Sequence, residues 1–220
     1  MTIATPTLSP PDTRGITIAL FLTGSVWALA VAVLADRGVF LAMPMPAIAL
    51  LVAVGILVPT AAYFFSRRLQ GYIEEIGLYP LTVLHIWRIP AALAFFVYGL
   101  AGQLPTLFWV LAGVGDLVAG LYAWKLAVSK PDAAAYLRFH LFGFSDFLVA
   151  VGTGLTFTLL QDPKMATIGV LPLVLIPLFG VGISGATHLI AFDQLRRSRR
   201  LPSSAMPPTE HQSAMRSGRR

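Results

Sequence analysis

Apolar residues run along this chain in six long blocks, each interrupted only by a few small or polar positions: residues 16–36, 46–66, 80–101, 105–127, 139–160 and 168–192. At about 1.5 Å of rise per residue, a helix of roughly twenty residues crosses a hydrocarbon core of about 30 Å. The strands of a membrane barrel would instead alternate polar and apolar positions over segments of about ten residues, and these blocks do not alternate. The pattern predicts an all-α membrane protein. It is a bundle of six transmembrane helices in a domain of residues 16–195, between tails at 1–15 and 196–220. Pro6, Pro10 and Pro11 at one end, and Pro202, Pro207 and Pro208 at the other, sit among serines and threonines and predict disorder in both tails.

Between the second and third blocks the period changes. Leu69, Tyr72, Ile73 and Ile76 recur every three to four residues against Arg67, Arg68, Gln70, Glu74 and Glu75. That spacing suits a short amphipathic helix lying at the membrane surface, with an ordinary polar loop as the alternative.

Composition agrees with the pattern: 56% of the 220 residues are hydrophobic and only 12% charged, which excludes an ordinary soluble domain. The net charge of +6 comes mostly from cations on one side of the predicted spans. Arg67 and Arg68 follow the second span. Lys125, Lys130 and Arg138 cluster after the fourth, and Arg196, Arg197, Arg199, Arg200, Arg216, Arg219 and Arg220 follow the sixth, whereas the opposite side has Arg37 and Lys164. The positive-inside rule makes the basic side cytoplasmic and, with six spans, places both termini there.

The run from Arg196 to Arg200 lacks interleaved aromatics or a folded module, so it reads as a lipid-facing topology signal rather than a nucleic-acid patch. Each arginine near anionic headgroups gains about 1 kcal/mol. Arg14 and the sequence Val33-Leu34-Ala35 resemble a cleavable signal peptide, but the apolar stretch between them is longer than the roughly 7 to 15 residues such peptides use. An uncleaved anchor is expected. The chain has no cysteine, so disulfides and thiol chemistry play no part.

The candidate chemistry lies in the few ionisable residues within the spans. A charge at mid-bilayer costs at least about 2.5 to 3.5 kcal/mol on insertion scales, so such groups face one another or a polar cavity. Counted from the cytoplasmic ends of their spans, His85 and His188 lie about 6 Å deep, Arg88 and Asp146 about 10 Å, and Asp116 about 16 Å. They belong to spans three to six, which predicts a core of those four with the first two packed outside. His85 and Arg88 share a helix face, and Pro90 leaves the Ile86 carbonyl without its usual donor, so this face should turn inward.

Asp116 sits in Ala112-Gly113-Val114-Gly115-Asp116-Leu117-Val118-Ala119-Gly120, and Asp146 in Gly143-Phe144-Ser145-Asp146-Phe147-Leu148-Val149-Ala150. The small residues around each aspartate allow another helix to approach closely. Arg88 pairs most naturally with Asp146 at equal depth, leaving Asp116 free to take up and release a proton.

His85 and His188, at matched depth near Gly180, Gly182 and Gly185, raise a haem held between two axial histidines. A metal site from His85, His188, Asp116 and Asp146 has suitable ligand types but no established spacing. His140, near the start of the fifth span, reads as interfacial. No His-Glu-x-x-His motif, phosphate loop or nucleophile elbow is present, so the residues point away from an enzyme and name no cofactor.

Trp87-Arg88-Ile89-Pro90, Gly102-Gln103-Leu104-Pro105, the two aspartate motifs and Leu171-Pro172-Leu173-Val174-Leu175-Ile176-Pro177 together resemble a family of uncharacterised bacterial multi-pass inner-membrane proteins over residues 80–195. The resemblance implies bacterial origin and an inner-membrane location, and no activity. The family favours a Trp-Asn pair where this chain has Phe139-His140, a departure that sets His140 aside as a site residue.

The resulting expectation is a carrier or binder of a small polar solute or ion, with proton coupling. Arg88, Asp116 and Asp146 form its site, flanked by His85 and His188, and Arg88 holds an anionic group or pairs with Asp146. Six spans are few for a carrier acting alone, and a homo-oligomer is one way to complete it. The alternatives are a structural or assembly subunit, in which the cluster locks helices together, and a haem or metal protein.

Overall fold

The computed structural model describes residues 13–198, the side chain of Met45 excepted, and the described residues are helical with no strand. In chain order the helices are α1 (Thr13–Asp36), α2 (Val39–Ala42), α3 (Met45–Phe65), α4 (Arg67–Ile76), α5 (Leu78–Val83), α6 (Arg88–Leu100), α7 (Thr106–Ala127), α8 (Ala133–Leu159) and α9 (Val181–Ser198). A 3-10 turn, Leu84–Trp87, joins α5 to α6, and a π-helical turn, Ile176–Gly180, runs into α9. Six segments are long and apolar enough to cross a bilayer: Thr13–Asp36, Pro46–Phe65, Leu78–Leu100, Thr106–Ala127, Ala133–Leu159 and Ile176–Ser198. Their outward faces carry Phe21, Leu57, Phe65, Val97, Leu100 and Leu159 in the open, a surface that suits acyl chains.

Two boundaries differ from the hydropathy reading, each for a local reason. The fifth span begins at Ala133 rather than 139, because the Asp132 side chain accepts the Ala135 amide at 2.7 Å and caps a run of strong helix formers. The sixth begins at Ile176 rather than 168. Pro172 and Pro177 cannot donate to a continuous helix, so residues 163–169 coil as a 3-10 segment and 170–174 fold as bends and turns.

The surface helix predicted after the second span is α4. Ser66 accepts the Leu69 amide at 3.2 Å at its start, Tyr72 and Ile73 are buried beneath it, and Gly77 ends it at φ 71°. Residues 1–12 and 199–220, Arg199 and Arg200 among them, lie outside the described residues, whereas 13–15 and 196–198, expected in the tails, belong to α1 and α9.

The apolar interior is distributed along the bundle. Towards one end, Ala91, Phe95, Phe108 and Ala112 of the third and fourth spans, with Leu104 from the turn between them, meet Met165, Ile168 and Leu173. Val31 and Ala35 of α1 meet Ile48 and Val52 of α3, Val174 and Leu178. Towards the other end, Tyr63 packs with Tyr72, Ile73, Leu81 and Ile190.

The first span does lie at the periphery, with only Val31 and Ala35 fully buried. The second does not. Gly55 of α3 and Gly182 of α9 meet backbone to backbone under the ring of Trp27, and a Cβ on Gly182 would stand 2.9 Å from the Gly55 carbonyl oxygen. This close contact makes the second span a wall of the core. Its buried polar side chains, Thr60 and Tyr63, are neither charged nor histidine, so depth counting of Arg, Asp and His could not reveal it.

Candidate functional site

The loss of the Pro90 amide explains why the third span changes character where it does. The helix tightens to 3-10 geometry over Leu84–Trp87 and resumes at Arg88, with the Arg88 amide bonded to the His85 carbonyl. Arg88 is buried and bonds to two other helices. Its Nε donates to Asp116 Oδ1 on α7 at 2.6 Å, its Nη2 donates to Asp146 Oδ2 on α8, and its Nη1 donates to the Gly143 carbonyl of α8 at 3.4 Å. The expectation that Arg88 pairs with Asp146 and leaves Asp116 unmatched is therefore corrected: one guanidinium bridges both carboxylates. The five N–H donors of arginine point in a fork, so a single cation can serve partners on two helices.

The glycines of the two aspartate motifs make this packing feasible. A Cβ on Gly115 would collide with the Asp146 carboxylate, and one on Gly120 would stand 2.9 Å from the Ile89 backbone nitrogen. A Cβ on Gly143 would lie 2.6 Å from His188 Cε1 and 3.4 Å from Arg88 Nη1. Small residues here admit polar groups as well as helix backbones.

Arg88 and Asp116 form the polar end of a cavity of about 290 Å³. Apart from Trp87, Ser184 and Thr158, the remaining wall is apolar, including Val52, Phe95, Phe108, Phe147, Val151, Leu155 and Met165. The Trp87 indole donates to Ser184 Oγ at 2.9 Å and so fixes one side of the chamber. From Arg88 the chamber extends towards Met165 and Ile168, the side of Lys164 and away from the basic loops. A second groove lined by Phe40, Pro44, Leu159 and Asp162 shares Ile48 and Thr158 with it on that side.

A second polar group adjoins the first across Gly143. His85, His140 and His188 are all fully buried, and one nitrogen from each ring lies within 4.8 Å of the other two. His140 Nδ1 stands 2.9 Å from His188 Nδ1. The His140 Nε2 lies 3.3 Å from Thr82 Oγ1, and the His85 Nε2 lies 3.2 Å from Thr187 Oγ1. His85 Nδ1 and His188 Nε2 have no hydrogen-bond partner. Phe139 and Phe144 pack around the rings, and Phe192 packs against His140 and Phe144.

Three sequence readings change here. His140 is a core residue rather than an interfacial one, because α8 begins at Ala133 and has made two turns by that point. His85 and His188 stack on each other, with ring centroids 4.2 Å apart and planes at 27°, so no macrocycle fits between them as a pair of axial ligands requires. The metal set of His85, His188, Asp116 and Asp146 separates, because both carboxylates are taken by Arg88. Thr82 and Thr187 carry no signal in the sequence, because a threonine bonded to its own helix carbonyl looks ordinary; their spacing to His85, at three residues before it and on a different helix, makes no motif.

No curated protein and no solved structure matches the chain. A family model described as a domain of unknown function, DUF8737, matches residues 45–196. The match begins well before residue 80, where the resemblance read in the sequence starts, and takes in the second span together with every residue of the arginine and histidine groups. The chain belongs to this family of unknown function.

Proposed function

We propose that this protein is a multi-pass protein of a bacterial inner membrane, with both termini cytoplasmic, that binds a small amphipathic cation in the chamber beneath Arg88 and exchanges it for a proton. The observation that carries this reading is a largely apolar chamber whose polar end is Arg88 and Asp116, with Asp146 paired to the same guanidinium behind them as the third member of a triad. With both carboxylates ionised the triad holds one surplus negative charge. A surplus charge buried in a low-dielectric interior is costly, and either a proton or a cationic ligand balances it. Competition between the two is the physical basis of exchange.

The lining refines the ligand class expected from sequence. A wholly polar solute would gain little from Val52, Phe108, Phe147, Val151 and Leu155, whereas an apolar body is well served by them. Arg88 already donates to both aspartates and to the Gly143 carbonyl, so it offers little to an anion. Trp87, Phe95, Phe108 and Phe147 add aromatic rings, whose faces attract organic cations. In this reading Asp116 meets the cationic head, and Asp116 and Asp146 share the exchangeable proton.

The test is equilibrium binding of octyltrimethylammonium to the purified full chain in lipid nanodiscs, with octanesulfonate as the anionic counterpart and empty nanodiscs as background. The cation binds saturably and the sulfonate does not, and Asp116→Asn weakens cation binding at least tenfold while the protein stays monodisperse. Equal retention of the two amphiphiles would exclude this reading.

A structural role has one observation of its own, since Arg88 ties α6, α7 and α8 together. In that case Asp116→Asn lowers abundance and leaves no bound ligand to lose.

A further inference from the structure

We propose that His85, His140 and His188 bind a single late first-row divalent metal ion of the zinc class through one nitrogen of each ring. The three residues come from separate elements, the 3-10 turn Leu84–Trp87, α8 and α9, and converge with no exposure to solvent. Which ring atoms carry hydrogen decides whether they can act as ligands.

Thr82 Oγ1 donates to the Leu78 carbonyl at 3.0 Å, so towards His140 it accepts, and the His140 Nε2 carries the proton. Thr187 Oγ1 gives its proton to the Ile183 and Ser184 carbonyls, each at 3.0 Å, so it accepts from the Nε2–H of His85. In both rings Nδ1 is then a bare lone pair. That of His85 has no partner, and that of His140 meets His188 Nδ1 across 2.9 Å.

Three neutral imidazoles do not satisfy one another in this arrangement, because two buried ring nitrogens remain without a bond. An unmade hydrogen bond in the interior carries the desolvation cost of its group. A metal ion takes the place of the proton between His140 and His188, that proton moving to the bare His188 Nε2, and a turn of the His85 ring out of its stack on His188 gives His85 Nδ1 its missing partner. Nitrogens at about 2.0 to 2.1 Å from a tetrahedral zinc stand about 3.3 Å from each other. The His140–His188 distance needs to open by only a few tenths of an ångström.

The surroundings also suit a cation. Histidine ligands that keep their other N–H on a fixed acceptor are oriented for the metal, as Thr82 and Thr187 do here. An all-imidazole set favours zinc, copper, nickel or iron over magnesium or calcium. The Arg88 triad with its surplus carboxylate lies across Gly143 and offsets part of the added charge. Three protein ligands leave a fourth position for water or another small ligand.

The site is tested on the full chain, purified without a polyhistidine tag, stripped of metal and titrated with zinc, with metal content measured by mass spectrometry after gel filtration. The expected result is one zinc per chain, loss of that zinc in His85→Gln, and retention in His211→Ala. Thr82→Val and Thr187→Val each weaken zinc binding about 10- to 100-fold, since each removes the group that orients a ligand. These two variants carry the test should His85→Gln fail to fold. X-ray absorption of the cobalt-loaded protein then reports imidazole scattering from three rings. Monodisperse protein that retains no zinc, or stoichiometric zinc with unchanged affinity in the threonine variants, overturns the proposal. Zinc retention is read without any amphiphile, so failure here is distinct from failure of the cation-binding reading.

Discussion

A single arginine inside a span is a cost that its neighbours must offset. Arg88 meets that condition by donating to Asp116 from Nε and to Asp146 from Nη2. Removing it strands two carboxylates in the interior, and breaking a buried pair by deleting one partner costs about 3 to 5 kcal/mol. Arg88→Ala is therefore expected to reduce the amount of protein recovered in membranes by an order of magnitude or more. Arg88→Ala in combination with Asp116→Asn and Asp146→Asn is expected to restore much of it, which quantitative immunoblotting of membranes would reveal. Comparable abundance of the single and triple variants would contradict the account of the triad.

The identities of Arg88, Asp116 and Asp146 were legible because insertion cost alone marks them as inward-facing. Their mutual pairing was only half legible: depth along a helix axis assigns one coordinate, while the rotation and tilt of each helix decide which groups meet. By depth alone Asp116 lies beyond Arg88, yet the reach of the arginine stem and the absence of a side chain at Gly115 close the gap.

At the level of elements, two kinds of joint hold the helices. The C-terminal halves of α4 and α9 are joined by Arg197, which pairs with Asp193 at 2.7 Å and Glu74 at 3.3 Å. Tyr63 donates to the same Asp193 at 2.8 Å. Arg197 thus holds a protein partner where the sequence predicted lipid headgroups alone. Exposed pairs of this type contribute about 0 to 1 kcal/mol. The Gly55–Gly182 contact is different in kind, because a larger residue must separate two backbones. Thermal unfolding in detergent should show Arg197→Ala close to the parent protein and Gly182→Leu markedly less stable; the reverse order would contradict this assignment of the joints.

Hydropathy recovered all six long apolar segments and the amphipathic α4, since lengths and periods express the physics of bilayer and interface directly. It misplaced the starts of the fifth and sixth spans, where capping by Asp132 and the donor loss at Pro172 and Pro177 decide the boundary and apolar content does not. The same displacement makes His140 look interfacial in the sequence. Asp132 before Ala133-Ala134-Ala135 was the available signal for the earlier start.

On the scale of the whole molecule, the described loops fall into two sets. Arg67, Arg68 and Lys130 lie on one side, and Arg37 and Lys164 on the other. The absence of native cysteine makes the topology directly testable. Ser129 and Lys164 are exposed on opposite sides. A membrane-impermeant maleimide is expected to label Lys164→Cys in intact spheroplasts and Ser129→Cys only after permeabilisation. Labelling in the opposite order would invert the bundle and with it the face on which the chamber opens.

Exchange of a cation for a proton at the Asp116–Asp146 pair is tested most directly in proteoliposomes containing a pH-sensitive dye. Octyltrimethylammonium added outside is predicted to move protons out of the lumen, with no such response in empty liposomes or in folded Asp116→Asn. An unchanged lumenal pH in the parent protein, or an equal response in Asp116→Asn, would contradict the account.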